Sequence, residues 1–494
     1  MGGESEGASP SSGAVKGKPT LLWVTAAAVA GLGTWMLYDA LPGINWALWT
    51  SAAVAGLLLS SRRRGYPARS VLVMGGASIV IAGAAAVTAS PLLWVLISLA
   101  VVFFLAMQML LTAGPSFRWI TAPFAATAPL VALRIAAAQA MQRRAEAAQS
   151  IRSTRARAWL RGLAITLPVL VVFALLLADA DPLFAEWRDA VSDLVASWDF
   201  VARAVFFVVL LAVVLGAYGY ASLGPGGFPA AEARTPHRWL GSTERFMLLA
   251  GVAALFWLFL ALQVGYLFGN LPRIPASGMT FAEYARRGFG ELSVVASASA
   301  LLIIVSEVYG NDDGRERILR ILTFAVIAAV LLLLGSAARR VWLYEEAYGF
   351  TTARLYAQFY MGAVAMGLVM LFLEVARDFD AGRLFRRAAA AATILFIALI
   401  YWNHEAWIAS RNLDRFASTG KLDVAYLTRN LSPDALPAIA ERLLALPDSV
   451  RLGIGRAVRE RYPARNEGRQ RSWFEWNLSS SRARQALDAS FASP

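Results

Sequence analysis

Phe281-Ala-Glu-Tyr-Ala-Arg-Arg-Gly-Phe289 opens a stretch that continues through an apolar run, a basic turn and a second apolar run. It closes on Tyr344-Glu-Glu-Ala-Tyr-Gly-Phe-Thr-Thr-Ala-Arg354. A bilayer span takes about 20 apolar residues, so two crossing helices return both polar motifs to the same side. Runs of similar length recur from residue 19 to residue 402. The expected fold is therefore an all-α integral membrane protein: a polytopic helical bundle of about eleven transmembrane helices with a small C-terminal α-helical domain.

Composition agrees. Of the 494 residues, 58% are hydrophobic and 16% charged, against about 25% charged in soluble domains. The net charge of +13 would suggest nucleic acid in a soluble protein. Here the basic residues sit in short turns between apolar runs, which fits anionic lipid headgroups and the positive-inside bias instead. The expected partner is the lipid bilayer, with no nucleic acid and no assigned protein partner. There are no cysteines and two histidines, His237 and His404, which excludes disulfides and thiolate metal sites. No cofactor or metal is expected.

Outward from the opening stretch, five segments follow. Residues 1–18 form a Gly/Ser-rich tail expected to be disordered, and residues 19–117 hold N-terminal transmembrane helices. The run after Lys18 is long and lacks a small-residue cleavage site, so a retained helical hairpin is favoured over a cleaved signal. Residues 70–117 carry no charge over 48 positions and must fold as two helices, broken at Ser90-Pro91. Residues 118–161 read as a basic interfacial or cytoplasmic linker, although 121–140 is where the span count is most open. Residues 162–402 form the main transmembrane domain, beginning with a span at 162–178. Residues 403–494, with 14 Lys/Arg and 10 Asp/Glu, form the C-terminal helical domain. In it Ser432 is a candidate N-cap, and Trp473, Phe474 and Trp476 belong to its core or to the membrane interface.

With the N-terminus inside, inner segments hold 24 Lys and Arg against about eight outside. That orientation follows the positive-inside rule, and eleven spans then put residues 403–494 outside.

No nucleotide-binding loop, zinc-protease motif or nucleophile elbow is present, so no catalytic residue is assigned. Three polar clusters remain as a candidate site on the expected outer side. They are Tyr284, Arg286, Arg287 and Glu291; Glu345, Glu346, Tyr348, Thr351 and Arg354; and Asn403, His404, Glu405, Arg411, Asn412 and Asp414. Only 15 uncharged residues separate Glu291 from Glu307, so one carboxylate must lie at membrane depth or at the interface. An intramembrane carboxylate is a functional candidate; the plainer and favoured reading is a Glu at a helix end pairing with Arg286 or Arg287. Pairing of those arginines with Glu345 or Glu346 is also expected.

Several of these motifs carry a resemblance. Tyr284-Ala-Arg-Arg-Gly-Phe-Gly-Glu-Leu292, Glu346-Ala-Tyr-Gly-Phe-Thr-Thr-Ala-Arg-Leu-Tyr356, Ile408-Ala-Ser-Arg-Asn-Leu413 and Leu422-Asp-Val-Ala-Tyr-Leu427 with Leu431-Ser-Pro-Asp-Ala-Leu-Pro437 occur in one order. They resemble a bacterial multi-pass family, a domain of unknown function numbered 4153/4173, over roughly residues 204–446. Where that family has Asn-Pro-Asp, this chain has Asn403-His404-Glu405. The resemblance implies a bacterial cytoplasmic (inner) membrane protein and supplies no activity. Three functions fit, in descending order of preference. The first is a non-enzymatic envelope sensor, scaffold or accessory factor. The second is a transporter or flippase of a lipid-like or amphipathic substrate, disfavoured because the middles of the spans lack charges. The third is an enzyme acting on a lipid-linked substrate, with Glu291 or Glu345 as acid or base beside Arg286 or Arg354.

Overall fold

The computed structural model describes residues 19–61, 69–113, 120–151, 166, 198–223, 237–268, 281–311, 313–462 and 472–491; the side chains at 19–20, 113, 147–151, 198, 263–268 and 281–289 lie outside that description. Among the described residues, ten helices are long and apolar enough to cross a membrane, and Leu21–Leu37 is a shorter apolar helix. Helices suit lipid because each satisfies its own backbone polar groups where no water can.

The first bundle contains α1 (Pro19–Leu37), α2 (Ile44–Ser61), α3 (Arg69–Gly83), α4 (Pro91–Ala113), α5 (Ala122–Ile151) and α6 (Trp198–Leu223). As expected, α4 starts at Pro91. The expected linker behaves differently: α5 is a single helix through Pro129, and its Ala128, Ala132 and Ala136 are buried in the bundle core. Low side-chain bulk misleads here, because small residues are what allow helices to approach closely in a membrane. At Gly216 of α6 an added Cβ would fall inside contact distance of the Ala136 carbonyl. The expected 162–178 span lies outside the described residues.

The second bundle contains α7 (Ser242–Phe268), α8 (Phe281–Tyr309), α9 (Glu316–Tyr348) and α10 (Thr352–Val375). Helix α9 is its axis, with Val326, Val330, Leu333 and Ala337 buried against the other three. Helix α11 (Ala381–Tyr401) joins the two bundles. Its Leu384 packs into the second core, while Phe396, Ile397 and Ile400 pack with α3 and α4.

Residues 403–462 and 472–491 form a cap whose core includes Ile408, Leu413, Leu436, Ile439, Ile454 and Phe491 and is shared with Leu355 of α10. The cap is built from α12 (His404–Thr419), α13 (Leu436–Arg442), α14 (Asp448–Arg461) and α15 (Leu478–Ser490), with a π-helical turn at Tyr426–Asn430. Ser432 accepts from Asp434 N at 3.3 Å, as an N-cap should. The aromatic trio divides: Phe474 is buried and packs edge-on against Trp35, whereas Trp473 and Trp476 are exposed.

The packing at Gly216 yields a measurable outcome. Gly216→Val should lower the melting temperature of the detergent-solubilised protein, consistent with an overpacking cost of about 1–3 kcal/mol. Gly251→Val, at a position with open space around its Cα, should change it far less.

Candidate functional site

The cap meets the membrane helices along two polar seams. The first centres on the turn between α3 and α4. After the 3-10 turn Ala84–Ala86, the chain crosses Thr88 and Ala89 before α4 begins. The exposed backbone groups of this turn must find partners, and the cap supplies them. Asp434, only 4% exposed, accepts from Thr88 Oγ1 at 2.7 Å, from Ala89 N at 2.6 Å and from Ser479 Oγ. Asn477 Nδ2 donates to Ala85 O at 2.7 Å and Thr88 O at 2.8 Å, while its Oδ1 caps α15 through Ser480 N at 2.9 Å. One side chain thus starts a cap helix and holds a membrane turn.

Burial pushes the Asp434 carboxyl above the usual aspartate range, and the nearby Glu405 adds to the rise; the bonds from Ser479, Thr88 and Ala89 pull the other way. Beside this cluster, Glu475 accepts from Leu41 N at 3.0 Å and Ile44 N donates to Trp476 O at 3.0 Å. The α1–α2 turn is therefore held by the same cap, and α1 runs away from it.

The second seam is the turn between α9 and α10, built from the Glu346-to-Arg354 motif. Gly349 has φ +85°, and an added Cβ would stand 2.6 Å from Asn412 Oδ1. A glycine is required there on both counts. Asn412 clasps the next residue from both sides: Phe350 N donates to its Oδ1 at 2.8 Å, and its Nδ2 donates to Phe350 O at 2.8 Å. Thr351 caps α10, and Arg354 donates to Gly349 O while lying 4.1 Å over the Tyr344 ring. Arg415 donates to Glu346 O at 2.9 Å and to Ala347 O, covering the last carbonyls of α9. Tyr426 OH accepts from Thr352 N at 2.7 Å.

Under this seam, Trp402, Trp407, His404, Phe350 and Phe359 form a ring cluster with centroids 5.2–6.2 Å apart. Tyr356 OH and His404 Nε2 lie 2.8 Å apart. His404 and Glu405 are buried, and Glu405 accepts from Ser432 N.

The structure thus brings Glu345, Glu346, Thr351, Arg354 and Asn412 to one seam. Asn403 is at the other, capping α12 and donating to Asp434 O at 3.1 Å. Tyr348 stacks on Tyr344 at 4.9 Å, and Arg411 lies 5.5 Å from the Trp407 ring. Glu345 is buried and accepts from Gln358 at 2.6 Å. Glu291 is exposed on α8. Tyr284, Arg286 and Arg287 lie in the first turns of α8, their side chains outside the described residues, and so does the expected pairing with Glu345 or Glu346. Among the described residues no three His, Asp or Glu side chains are grouped to hold a metal ion.

Residues 75–442 match the family described as "Domain of unknown function (DUF4153)". The chain belongs to that family. No curated protein and no solved structure matches it. The DUF4153 match ends at Arg442, so it takes in Asp434 and the whole second seam but not Asn477 or Glu475. Sequence reasoning passed over Asp434, Thr88 and Asn477. Asp434 stood within a signal already in view, the Leu431-to-Pro437 motif.

Two outcomes test these seams. Asp434→Ala leaves three buried donors unsatisfied, at about 1–3 kcal/mol each, and should expose the cap to limited proteolysis. Because its folded-state value is raised, the folded protein binds that proton more readily than the unfolded chain. The stability Asp434 contributes is then fully present below the unfolded value near 4 and lost as pH rises through the raised value. Asp434→Asn should flatten that part of the melting temperature–pH curve. At the second seam, Asn412→Ala should destabilise by roughly 1–3 kcal/mol in the same assay, and Asn412→Asp, which keeps the acceptor but sets a carboxylate oxygen against Phe350 O, by at least as much.

Proposed function

We propose that the protein is a non-enzymatic scaffold or sensor of the bacterial cytoplasmic membrane, with its N-terminus in the cytoplasm and its cap outside. One observation carries this reading: Asn412 and Arg415 of the cap clasp the backbone of Phe350, Glu346 and Ala347, while Thr351, Arg354 and Asn403 are taken up in helix caps and local backbone bonds. Side chains used this way hold a platform in place and do not converge on a reacting group. The orientation is supported by charge. The helix ends opposite the cap carry Arg245, Arg315, Arg317, Arg320, Arg377, Arg383, Arg386 and Arg387, as cytoplasmic ends do.

The cysteine-free sequence permits a direct test. Ser418→Cys, exposed on the cap, should react with a membrane-impermeant maleimide in intact spheroplasts. Arg317→Cys, exposed at the start of α9, should react only after lysis. Reversed labelling would overturn the orientation. In proteoliposomes the protein should move fluorescent phospholipid between leaflets no faster than protein-free vesicles do. Faster movement that scales with protein would replace the scaffold reading with a transporter.

A further inference from the structure

At the end of the second bundle opposite the cap, the helix ends surround a cavity of about 370 Å3. Helices α7, α9 and α11 begin there, and α8 and α10 end there. A parallel bridge between Leu240 and Gly310 ties the segment entering α7 to the end of α8, through Leu240 N to Tyr309 O at 3.1 Å and Asn311 N to Leu240 O at 2.8 Å.

The floor of the cavity is a built ionic structure. Arg245, 3% exposed, donates to Ser306 Oγ at 2.9 Å and is ion-paired with Glu307. Gly310 leaves it room, since a Cβ there would stand 2.9 Å from Arg245 Cδ. Nearby, fully buried Glu374 pairs with Arg383 and Arg387 and accepts from Asp380 N at 3.3 Å. The turn bearing Arg377 and Asp378 is fixed by these bonds.

The rim differs from the floor. Arg238, Arg320 and Arg377 line the cavity, are exposed, and make no side-chain hydrogen bond or ion pair with any described residue. Glu316 and Asp378 also line it, with Arg383 donating to the Asp378 carbonyl and lying within reach of its charge. The floor pair is neutral, so the five rim groups leave a net charge of one positive unit. Guanidinium groups match phosphate oxygens in a two-bond fork, and several converging on one cavity are a phosphate-binding arrangement.

We propose that this cavity binds a phosphodiester monoanion, with Arg238, Arg320 and Arg377 on its non-bridging oxygens above the fixed Arg245–Glu307 floor. A single negative charge neutralises the rim. A triphosphate would leave excess negative charge beside Glu316 and Asp378. Those two carboxylates instead accept from a hydroxyl or ammonium on the ester's second substituent. That chemistry belongs both to phospholipid headgroups, which sit at the depth of these helix ends, and to soluble glycerophosphodiesters. This proposal is independent of the scaffold reading and of which side the cap faces.

The test uses the full chain in a neutral detergent at fixed salt, with thermal unfolding followed as ligand is added. The probes are dihexanoyl phosphatidylglycerol, glycerophosphoglycerol and dihexanoylglycerol. The phospholipid should raise the melting temperature saturably and the uncharged diacylglycerol should not. An equal response to glycerophosphoglycerol would identify the soluble ester as sufficient, and a response to phospholipid alone would assign the site to lipid. Arg320→Gln with Arg377→Gln should weaken apparent affinity by about tenfold or more, while Arg456→Gln on the cap should not. Arg238→Gln, outside any helix, gives a second reading should the double variant fold poorly. Unchanged affinity in the rim variants, an equal shift with diacylglycerol, or no saturable shift with either ester would overturn the proposal.

Discussion

Two turns at the end of the first bundle expose backbone groups that neither lipid nor their own helices can satisfy. The cap's hydrogen bonds to those turns are the constraint on which the rest depends. A buried backbone group without a partner costs on the order of a lost hydrogen bond. Asp434 and Asn477 meet three such needs, the Ala89 amide and the carbonyls of Ala85 and Thr88, and Asp434 also takes the Thr88 hydroxyl. Asp434 is itself expensive to bury, and only its full set of donors makes burial tolerable. Donors and acceptor are therefore mutually necessary, and the cap's position follows from them.

The second bundle is fixed to the same cap by a different device. Asn412 binds both backbone groups of Phe350, and Arg415 covers the end of α9, so backbone rather than side chain is recognised. Helix α11 then completes the tie, because it packs on the second core at Leu384 and on α3 and α4 at Ile400. The Tyr401 hydroxyl donates to Val80 O at 2.7 Å at that end. Two helical bundles with separate cores are thereby held by one cap and one shared helix.

Much of this architecture was legible from charge-free runs and their breaks. Pro91 starts a helix because its ring fixes the entering backbone, and Ser432 caps because its hydroxyl reaches the amide two residues on. Helix α5 was less legible, since alanine signals neither a strong apolar run nor a polar one; its role depends on Gly216, 80 positions from Ala136. The candidate site was legible as a place more than as a purpose. Thr351, Arg354 and Asn412 were found at one seam, but a polar side chain that clasps backbone is spelled with the same letters as one that binds a ligand. Asp434 stood inside the quoted Leu431-to-Pro437 motif yet was missed as a site residue, because its partner Thr88 lies 346 positions away.

That separation bears on the order in which the chain can mature. The membrane inserts α3 and α4 early in synthesis, yet the groups that complete their turn emerge nearly four hundred residues later, with Asn477 392 positions from Ala85. Until the last segment is released, the α3–α4 hairpin carries open amide and carbonyl groups where a chaperone, a protease or water can reach them. Closure of this turn is thus deferred until residue 477 has been made. A ribosome that stops before residue 477 leaves an inserted protein whose α3–α4 turn lacks its partners.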